Sequence, residues 1–196
     1  PPLSLYIHFP WCVAKCPYCD FNSHTLRGEM PADEYIDALV AEVSATAQQI
    51  SGRTIQSIFF GGGTPSLFSP QHYVLLFEAM HEYFAIDAAA EITMEANPGA
   101  IEHGSFVGYR QAGINRLSLG VQSFSDVHLK ALGRIHDAAT ARSAFQSARD
   151  AGFDNINLDL MYALPKQSLN EVLDDLDAAM SLQPEHLSFY HLTLEP

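Results

Sequence analysis

The feature that most constrains the fold is a regular alternation of strand and helix patterns along the chain. Six segments have the character of strands, at residues 3–9, 55–60, 91–97, 116–122, 155–161 and 186–192. Helix patterns separate each of these strands from the next. Such alternation predicts an α/β fold with a parallel sheet and right-handed crossovers. An open doubly wound sheet and a barrel both fit this order.

The two faces of the predicted strands help to choose between these architectures. Parallel strands that are buried on both faces usually read as continuous apolar runs, whereas these strands alternate between apolar and polar residues. Helices must cover the apolar faces, so the polar faces are predicted to line a cavity that holds a polar ligand or water. A barrel or partial barrel satisfies this requirement. An α+β sheet with one face in solvent is the alternative, and it fits helices between every pair of strands less well.

Polar residues and glycines at the strand ends mark a candidate site. Glu95, Gln122 and Asp159 lie at or near the C-terminal ends of predicted strands, which is the end that carries the site in parallel α/β folds. The second strand runs directly into the sequence GGGTP at 61–65, where glycines let a ligand approach the backbone. This turn lacks the phosphate-binding patterns G-x-x-x-x-G-K-S/T and G-x-G-x-x-G. A plain strand-to-helix turn is the alternative interpretation.

All three cysteines of the chain, Cys12, Cys16 and Cys19, follow the first predicted strand with the spacing C-x3-C-x2-C. Three thiolates can hold three irons of a 4Fe–4S cluster and leave the fourth iron open for a ligand. A tetrahedral zinc site would need a fourth ligand from His8 or His24. A disulfide framework fits badly because the number of cysteines is odd and their spacing is short. The spacing therefore favours a cluster over zinc or inert thiols.

The net charge of −13 narrows the range of partners. Nucleic acids and anionic membranes are bound through basic patches, so neither is expected as the main partner.

The sequence predicts no membrane span and no signal peptide, and clustered unpaired cysteines indicate a reducing, cytoplasmic environment. The 196 residues predict one domain. Because the chain begins at Pro1 without methionine and ends straight after a strand pattern, we expect a piece of a longer protein.

This combination of motifs resembles the radical S-adenosylmethionine (radical SAM) superfamily. The spacing of the three cysteines, with the aromatic Tyr18 before the third, is similar to the signature of that superfamily, and the glycine turn follows in the expected order. The resemblance implies a TIM-like partial (β/α)6 barrel, with parallel strands inside and helices outside. The chain supplies six strands and five crossover segments, and would lack the sixth helix.

A closer resemblance, to the oxygen-independent coproporphyrinogen III oxidase family, covers nearly the whole chain. The matching motifs are LYIHFPWC at 5–12, GGGTPS at 61–66, MEANP at 94–98, GVQSF at 120–124, LGR at 132–134 and NLDLM at 157–161. Within that family, CDFNS at 19–23 looks like the HemW-type branch of haem chaperones. True oxidases tend to carry a further cysteine just after the triad. Asp20 and Phe21 stand there in this chain, and this departure argues against oxidase activity.

The resemblance implies a metal site and a first part of the cofactor site. Cys12, Cys16 and Cys19 would ligate the 4Fe–4S cluster, and the amine and carboxylate of S-adenosylmethionine would chelate the open iron. The backbone of Gly62, Gly63 and Thr64 would meet the methionyl part of this cofactor.

The remaining cofactor-binding residues implied by the resemblance lie on other segments. Glu95, Gln122 and Asp159 would hold ribose hydroxyls or the ammonium group. Tyr6 would sit beside the cluster or the cofactor, and Tyr18 would border the adenosyl group. Arg134 would pair with a carboxylate, which suits the fork of a guanidinium group. No catalytic residue is assigned.

Several of these residues also have simpler interpretations. Tyr6 could fill the lumen, Arg134 could be a surface charge, and His8 is expected to be a hydrogen-bonded core histidine. The acidic residues of the last predicted helix are expected to form a solvated face: Glu171, Asp174, Asp175 and Asp177.

These resemblances imply a function in haem metabolism. The first expectation is a haem chaperone that binds the cluster and S-adenosylmethionine and delivers haem to acceptor proteins. An oxygen-independent coproporphyrinogen III oxidase, which cleaves S-adenosylmethionine and abstracts hydrogen from a porphyrinogen propionate, is the alternative. A structural zinc or electron-transfer protein is a third class. We expect residues 1–196 to be the radical SAM core, with the haem-binding region beyond Pro196. An electron donor, a haem-acceptor protein and a homodimer are the partners to test.

Overall fold

Six parallel strands form one sheet whose order follows the chain. The computed structural model describes residues 2–50, 52–100 and 105–193. Its strands are β1 Leu3–Phe9, β2 Trp11–Cys12, β3 His24–Thr25, β4 Thr54–Gly62, β5 Ala85–Ala96, β6 Arg116–Gln122, β7 Ile156–Tyr162 and β8 His186–His191. The large sheet has the order β1-β4-β5-β6-β7-β8, and β2 pairs with β3 in a separate small sheet.

The helices fall between the strands of the large sheet. They are α1 Ala32–Ala47, α2 Pro70–Tyr83, α3 Ser105–Ala112, α4 Asp126–Ala131, α5 Ala138–Asp150 and α6 Leu169–Ser181, with short 3-10 turns at Pro65–Leu67 and Pro98–Ala100. Within the described parts of the chain, none of these helices has the length and apolar character needed to cross a membrane.

The strand order decides between the two architectures that the sequence left open. A doubly wound sheet reverses its strand order partway, whereas each strand here pairs in parallel with the next large strand along the chain. Because right-handed crossovers then place the connecting helices on one side, one face of the sheet is covered and the other faces a lumen. Consecutive helices accordingly pack on each other, α1 on α2 and α2 on α3. The predicted partial barrel is confirmed.

The apolar core lies between the sheet and the helices, where the alternation of the strands predicted it. Ile7, Phe60, Met94, Leu117 and Leu158, one from each of five neighbouring strands, are all buried. Burial of such side chains is the main favourable contribution to folding. The helix-covered face of the sheet is therefore the part of the structure that stabilises the fold, and it leaves the lumen face free for polar groups.

Two tyrosines of this core hold the turn that follows β4. The hydroxyl of Tyr73 donates a hydrogen bond to the carbonyl of Pro65 over 2.8 Å. The hydroxyl of Tyr109 donates to the carbonyls of Ser66, over 2.9 Å, and Phe68, over 2.8 Å. These bonds satisfy buried backbone groups that the turn would otherwise leave without partners. Side chains of α2 and α3 therefore hold the backbone at the end of the glycine turn.

Helix α6 begins where the sequence signals a helix start. The amide of Ser168 donates to the carboxylate of Glu171 over 2.7 Å, and the Ser168 hydroxyl accepts from the Glu171 amide over 3.4 Å. This is the reciprocal pair of a capping box, which the sequence SLNE at 168–171 predicts. The sequence Ser69-Pro70 also predicts a helix start, and α2 begins at Pro70.

Parts of the secondary structure differ from the sequence prediction. Strand β5 begins at Ala85 rather than at residue 91, because the alanine-rich segment 85–90, which shows no clear alternation, pairs at its start with Thr54 and Ile55 of β4. Strands β2 and β3 were not predicted, since two residues each are too few to show a period. The sequence also predicts a short helix over residues 102–111, which stops before Gly113; its start lies outside the described residues, and its described part begins at Ser105.

The predicted solvated face of α6 is wrong at one position. Glu171, Asp174 and Asp177 are exposed as expected, whereas Asp175 is only 3% exposed. Its carboxylate accepts a hydrogen bond from the hydroxyl of Ser123 over 2.8 Å. Asp175 therefore points from the helix towards the sheet, where a polar loop supplies the hydrogen bonds that a buried carboxylate requires.

One edge of the apolar face is also more open than predicted. Phe189 on β8 is 37% exposed, and Leu169, Leu173 and Met180 on α6 are exposed beside that edge. Among the described residues, no helix follows β8. The last strand and the last helix therefore leave apolar side chains uncovered in this chain.

Candidate functional site

The polar face of the sheet opens into a cavity at the carboxyl end of the strands. The cavity has a volume of about 480 Å³. All the site residues predicted from the sequence except Tyr6 line it: Cys12, Cys16, Tyr18, Cys19, Gly62, Gly63, Thr64, Glu95, Gln122, Arg134 and Asp159. Tyr6 lies on the lumen side of β1, outside this lining, and is 57% exposed. The fold thus brings segments that are far apart in the chain around one space.

The three cysteines lie on a loop that folds back on itself after β1. All three are free thiols; Cys12 is buried, while Cys16 and Cys19 are half-buried. The β2–β3 pairing sets Cys12 opposite Thr25, and the amide of Cys19 donates to the carbonyl of Cys16 over 3.0 Å. These backbone bonds give the loop a defined shape in which all three cysteines line the cavity.

Two side chains fasten the second half of this loop. The ammonium group of Lys15 donates to the carbonyls of Phe21, over 2.9 Å, and Ser23, over 3.0 Å. The Nε2 atom of His8 on β1 donates to the carbonyl of Asn22 over 2.8 Å. The loop that carries the cysteines is therefore tied both to itself and to the first strand of the sheet.

The hydrogen bonds of His8 indicate the tautomer of its neutral ring. Since a carbonyl oxygen only accepts, the bond to Asn22 places a proton on Nε2, and in the neutral ring Nδ1 then accepts from the hydroxyl of Tyr6 over 3.0 Å. Both ring nitrogens are occupied in this arrangement. His8 is thus the hydrogen-bonded histidine that was expected, and it is not placed as a fourth ligand beside the cysteines.

The glycine turn packs against β1 more closely than any side chain would allow. Gly62 has φ +113°, and a Cβ there would lie 2.5 Å from ring atoms of His8. A Cβ on Gly63 would lie 2.6 Å from the carbonyl oxygen of Trp11, which accepts a hydrogen bond from the amide of Thr64 over 2.7 Å. The packing of the turn therefore accounts for Gly62 and Gly63 by itself, while their bare backbone also forms part of the cavity wall.

Two carboxyl groups on the lumen face of the sheet point into the cavity. Glu95 accepts a hydrogen bond from the amide of Gly62 over 3.1 Å. Burial raises the pKa of Glu95 to about 7, with the charge of Asp159 adding to the shift and the Gly62 amide opposing it. Burial also raises the pKa of Asp159, against hydrogen bonds from Ser118, over 2.9 Å, and Asn157, over 2.8 Å. A ligand with positive charge would favour the ionised form of both groups.

Gln122 reaches the cavity from a strained backbone at the end of β6. Its φ is +69°, which is unusual for a residue other than glycine. Its side chain is buried and its Oε1 atom accepts a hydrogen bond from the hydroxyl of Tyr190 over 2.7 Å. Sequence reasoning assigned Tyr190 no role, although the alternation of the last strand placed it on the lumen face. Other lining residues that it missed are Asn97, Met161, His191 and Thr193.

Arg134 approaches the cysteine loop from the segment after α4. Its Nη1 donates to the sulfur of Cys16 over 3.3 Å, and its Nη2 donates to the carbonyl of Gly120 over 2.7 Å. Its Nε is buried and has no hydrogen-bond partner within the described part of the chain. Tyr18 lies beside it, and burial raises the pKa of Tyr18 while the Arg134 charge opposes that shift. Arg134 is therefore part of the cavity wall rather than a surface charge.

A family comparison agrees with this arrangement of loop, turn and strand ends. Residues 6–179 match the model of the Radical SAM superfamily. The chain belongs to the radical SAM superfamily. The cysteine loop, the glycine turn and the polar strand ends described above all fall within the matched residues.

Curated radical SAM relatives of similar sequence are named as haem chaperones. Over the whole chain, the identity is 53% to "Heme chaperone HemW" of Escherichia coli (strain K12). It is 51% to the protein of that name from Haemophilus influenzae, and 38%, over 98% of the chain, to that from Bacillus subtilis (strain 168). The chain covers 52%, 52% and 51% of these relatives respectively. It therefore spans about half the length of the curated relatives it matches.

Solved structures share the fold. Coproporphyrinogen III oxidase (HemN) from Escherichia coli, described as a radical SAM enzyme, matches with a TM-score of 0.90 and 35% identity over 98% of this chain and 44% of that one. The structure of anSMEcpe with bound AdoMet matches with a TM-score of 0.72 at 16% identity, over 98% of this chain and 52% of that one. The second likeness concerns the fold alone.

The superfamily implies a 4Fe–4S cluster and S-adenosylmethionine, and the residues present fit both groups. Three free thiols border one cavity, as a cluster with three protein ligands requires. Within residues 2–50, 52–100 and 105–193, no three His, Cys, Asp or Glu side chains are grouped to hold a single metal ion. The Nε of Arg134, which has no partner among the described residues, suits a carboxylate, and the half-buried carboxyl groups of Glu95 and Asp159 suit a cation. These are the charges that S-adenosylmethionine carries.

Proposed function

We propose that this chain is the radical SAM core of a haem chaperone, which holds a 4Fe–4S cluster on Cys12, Cys16 and Cys19 and binds S-adenosylmethionine in the adjoining cavity. The observation that carries the proposal is the meeting of three free thiols, a glycine turn and polar strand ends around one space of about 480 Å³. The relatives named as haem chaperones support the choice of biological role.

The charges in the cavity suggest how the parts of S-adenosylmethionine are divided among the residues. The sulfonium and ammonium groups are positive, so Glu95 and Asp159 would attract them or accept hydrogen bonds from ribose hydroxyls. Arg134 would pair with the carboxylate through its free donor. The methionyl part would meet the backbone of Gly62, Gly63 and Thr64. The backbone is accessible there because the two glycines have no side chain to cover it.

The aromatic residues would limit access of water. Tyr18 is half-buried beside Arg134 and would border the adenosyl group. Tyr6 lies on the lumen wall, linked to the cysteine loop through His8, and would sit beside the cofactor. When bound, the cluster supplies the electron that reduces the sulfonium. The protein then contributes position, charge and shielding.

The chaperone role is preferred to the oxidase role on two grounds. Asp20 and Phe21 follow the cysteine triad where the oxidases tend to carry another cysteine. The haem chaperone relatives are also more similar in sequence, at 53% identity against 35% for HemN. The HemN structure, with its TM-score of 0.90, keeps coproporphyrinogen III oxidation as the second candidate.

The wider role needs more than these residues. Residues 1–196 would form the core domain, and the haem-binding region would follow in a chain of the relatives' length. An electron donor and a haem-acceptor protein are proposed as partners, and the homodimer remains an assembly to test.

Three free thiols, one of them buried, suit a reducing cytoplasm.

Anaerobic reconstitution of the chain with iron and sulfide tests the cofactor proposal. We expect close to four irons and four sulfides per chain, and S-adenosylmethionine binding in equilibrium dialysis. Cys16→Ala should abolish that binding with an unchanged circular dichroism spectrum, while Val13→Ala, in the same exposed loop, should keep it. Undiminished S-adenosylmethionine binding in Cys16→Ala would contradict the proposal that a cluster on the three cysteines forms part of the binding site.

A chain extended to the length of the relatives tests the biological role. The chaperone proposal expects bound haem that passes to an apoprotein acceptor, with coproporphyrinogen III left unchanged. Decarboxylation of coproporphyrinogen III by the anaerobic, reduced protein would instead establish the oxidase.

A further inference from the structure

Asp175 is a buried carboxylate that the proposed cofactor site does not use. It lies in the middle of α6, on the helix-covered side of the sheet, and is 3% exposed. It is not among the residues that line the cavity. Burying a carboxylate costs free energy unless hydrogen bonds replace those that it makes to water. The groups that donate hydrogen bonds to Asp175 therefore show which segments it anchors.

The partners of Asp175 belong to two loops at the rim of the cavity. Its carboxylate accepts from the hydroxyl of Ser123 over 2.8 Å and from the amide of Phe124 over 2.6 Å, both directly after β6. It also accepts from the side-chain amide of Gln167 over 3.4 Å, in the loop after β7. The Ser123 hydroxyl in turn accepts from the amide of Ser125 over 3.0 Å. One side chain of α6 therefore fixes the path of the chain on leaving β6.

The residue immediately before this anchored segment is Gln122. Its left-handed φ of +69° is unfavourable for a residue with a Cβ, and such a conformation persists only when its surroundings hold it. On its other side, the ring of His136 donates to the carbonyl of Val121 over 3.1 Å. The backbone around Gln122 is thus held from both directions, and this conformation directs the side chain into the cavity, where it meets Tyr190.

We infer that Asp175 is a positioning residue for Gln122: it anchors the segment 123–124 so that the strained residue before it presents its amide to the cofactor cavity. The expected consequence for S-adenosylmethionine affinity rests on the proposed function. The consequence for the Gln122–Tyr190 hydrogen bond does not, because that bond joins two side chains of this chain.

A double-mutant cycle separates positioning from general destabilisation. In the reconstituted chain, Asp175→Ala and Gln122→Ala should each weaken S-adenosylmethionine binding on the order of tenfold, and the double variant should be no more than about twofold weaker than Gln122→Ala. Asp177→Ala makes the same change on an exposed turn of the same helix and should leave affinity unchanged. Additive losses in the double variant would overturn the inference.

A second readout does not involve the cofactor. Carbon-13 labelling of tyrosine Cζ reports the hydrogen bond between Tyr190 and Gln122 in the unloaded chain. We expect Asp175→Ala to shift the Tyr190 signal towards its position in Gln122→Ala, whereas Asp177→Ala should not. An unmoved Tyr190 signal in Asp175→Ala would refute the positioning role, whatever the state of S-adenosylmethionine binding.

A milder variant serves if Asp175→Ala fails to fold. Ser123→Ala removes one hydrogen bond from the other side of the same contact and creates little space. It should shift the Tyr190 signal in the same direction with a smaller loss of affinity. Failure of the wild-type chain to bind S-adenosylmethionine, together with a shifted Tyr190 signal in this variant, would refute the proposed function and retain the positioning role.

Discussion

Arg134 and Cys16, which are 118 residues apart in the chain, meet at the wall of the cavity with 3.3 Å between the Nη1 atom and the sulfur. The contact joins the cysteine loop after β1 to the segment after α4. It uses one donor of the guanidinium, while Nη2 is held by the carbonyl of Gly120 and Nε has no partner in residues 2–50, 52–100 and 105–193. Arg134 is therefore fixed in place by two bonds and retains further N–H donors for a ligand, that of Nε among them.

The first prediction follows from this fixed geometry. Arg134→Lys should weaken S-adenosylmethionine binding by a factor of roughly 10 to 100, because an ammonium group keeps the charge but loses the planar fork that makes several bonds at once. Equilibrium dialysis on the reconstituted chain measures the change. Arg110→Lys, at an exposed position on α3, is the control and should bind as the wild type does. Equal affinity in Arg134→Lys would show that this guanidinium does not contact the cofactor.

The second prediction concerns the pH dependence of binding. The pKa of Glu95 is raised to about 7, chiefly by burial, so its carboxyl group is largely protonated at pH 6 and largely ionised at pH 8. A cationic ligand gains more from the ionised form, and its affinity should therefore rise over this range, by at most about tenfold per pH unit. Glu95→Gln should flatten the profile. A profile with the same slope in Glu95→Gln would assign the titration to another group.

The third prediction gives the opposite sign for the stability of the unloaded chain. The pKa of Glu95 is higher in the folded chain than its ordinary value of 4.5, so the folded state holds this proton more tightly than the unfolded state. The contribution of Glu95 to the free energy of unfolding should fall as the pH rises from about 4.5 to about 7. Urea titrations should show a smaller loss for Glu95→Gln across that range. Parallel curves for the two chains would contradict the raised pKa.

The fourth prediction concerns the close approach of the glycine turn to β1. In Gly62→Ala, the new methyl group would overlap the His8 ring, at 2.5 Å, on a backbone with φ +113°. We expect a loss of about 3–5 kcal/mol in the free energy of unfolding, from overpacking and backbone strain together. Gly152→Ala also has a positive φ, +88°, but nothing lies within 4 Å of its added Cβ. This control should lose only about 1–2 kcal/mol in urea unfolding, and equal losses would show that the contact with His8 is unimportant.

The sequence predicted the parts of the fold and site that depend on local patterns. Successive side chains of a strand point to opposite faces of the sheet. Where the apolar residues of a strand face the helices, the polar residues between them must face away from the helices. The alternation alone was therefore enough to place Glu95 and Asp159 on the lumen face. The order of strands and helices placed their ends at the same edge as the cysteine loop.

The remaining features depend on contacts between distant segments, which a local pattern does not contain. The bond from Tyr190 to Gln122 spans 68 residues, and the bond from Ser123 to Asp175 spans 52. An aspartate between exposed acidic neighbours looks like part of a solvated helix face. The left-handed backbone of Gln122 also has no signal in the sequence, because the residue is not glycine or asparagine.

The last prediction tests the tie between β1 and the cysteine loop. His8→Phe keeps an aromatic ring against Gly62 but removes the donor that reaches the carbonyl of Asn22 over 2.8 Å. Since this bond fastens the loop next to Cys19, the reconstituted cluster should lose iron to a chelator roughly 2- to 10-fold faster than in the wild type, the range expected for one hydrogen bond. Loss of the absorbance of the cluster over time measures the rate.

Tyr6→Phe is the matched control for this experiment. It removes the hydroxyl that donates to Nδ1 of His8 over 3.0 Å, but it leaves the bond between His8 and Asn22 in place. Iron loss in this variant should therefore stay close to the wild-type rate. If Tyr6→Phe accelerates iron loss as much as His8→Phe does, the loop is held by the whole lumen wall; if neither variant accelerates it, the backbone pairing of β2 with β3 is sufficient to hold the cysteines.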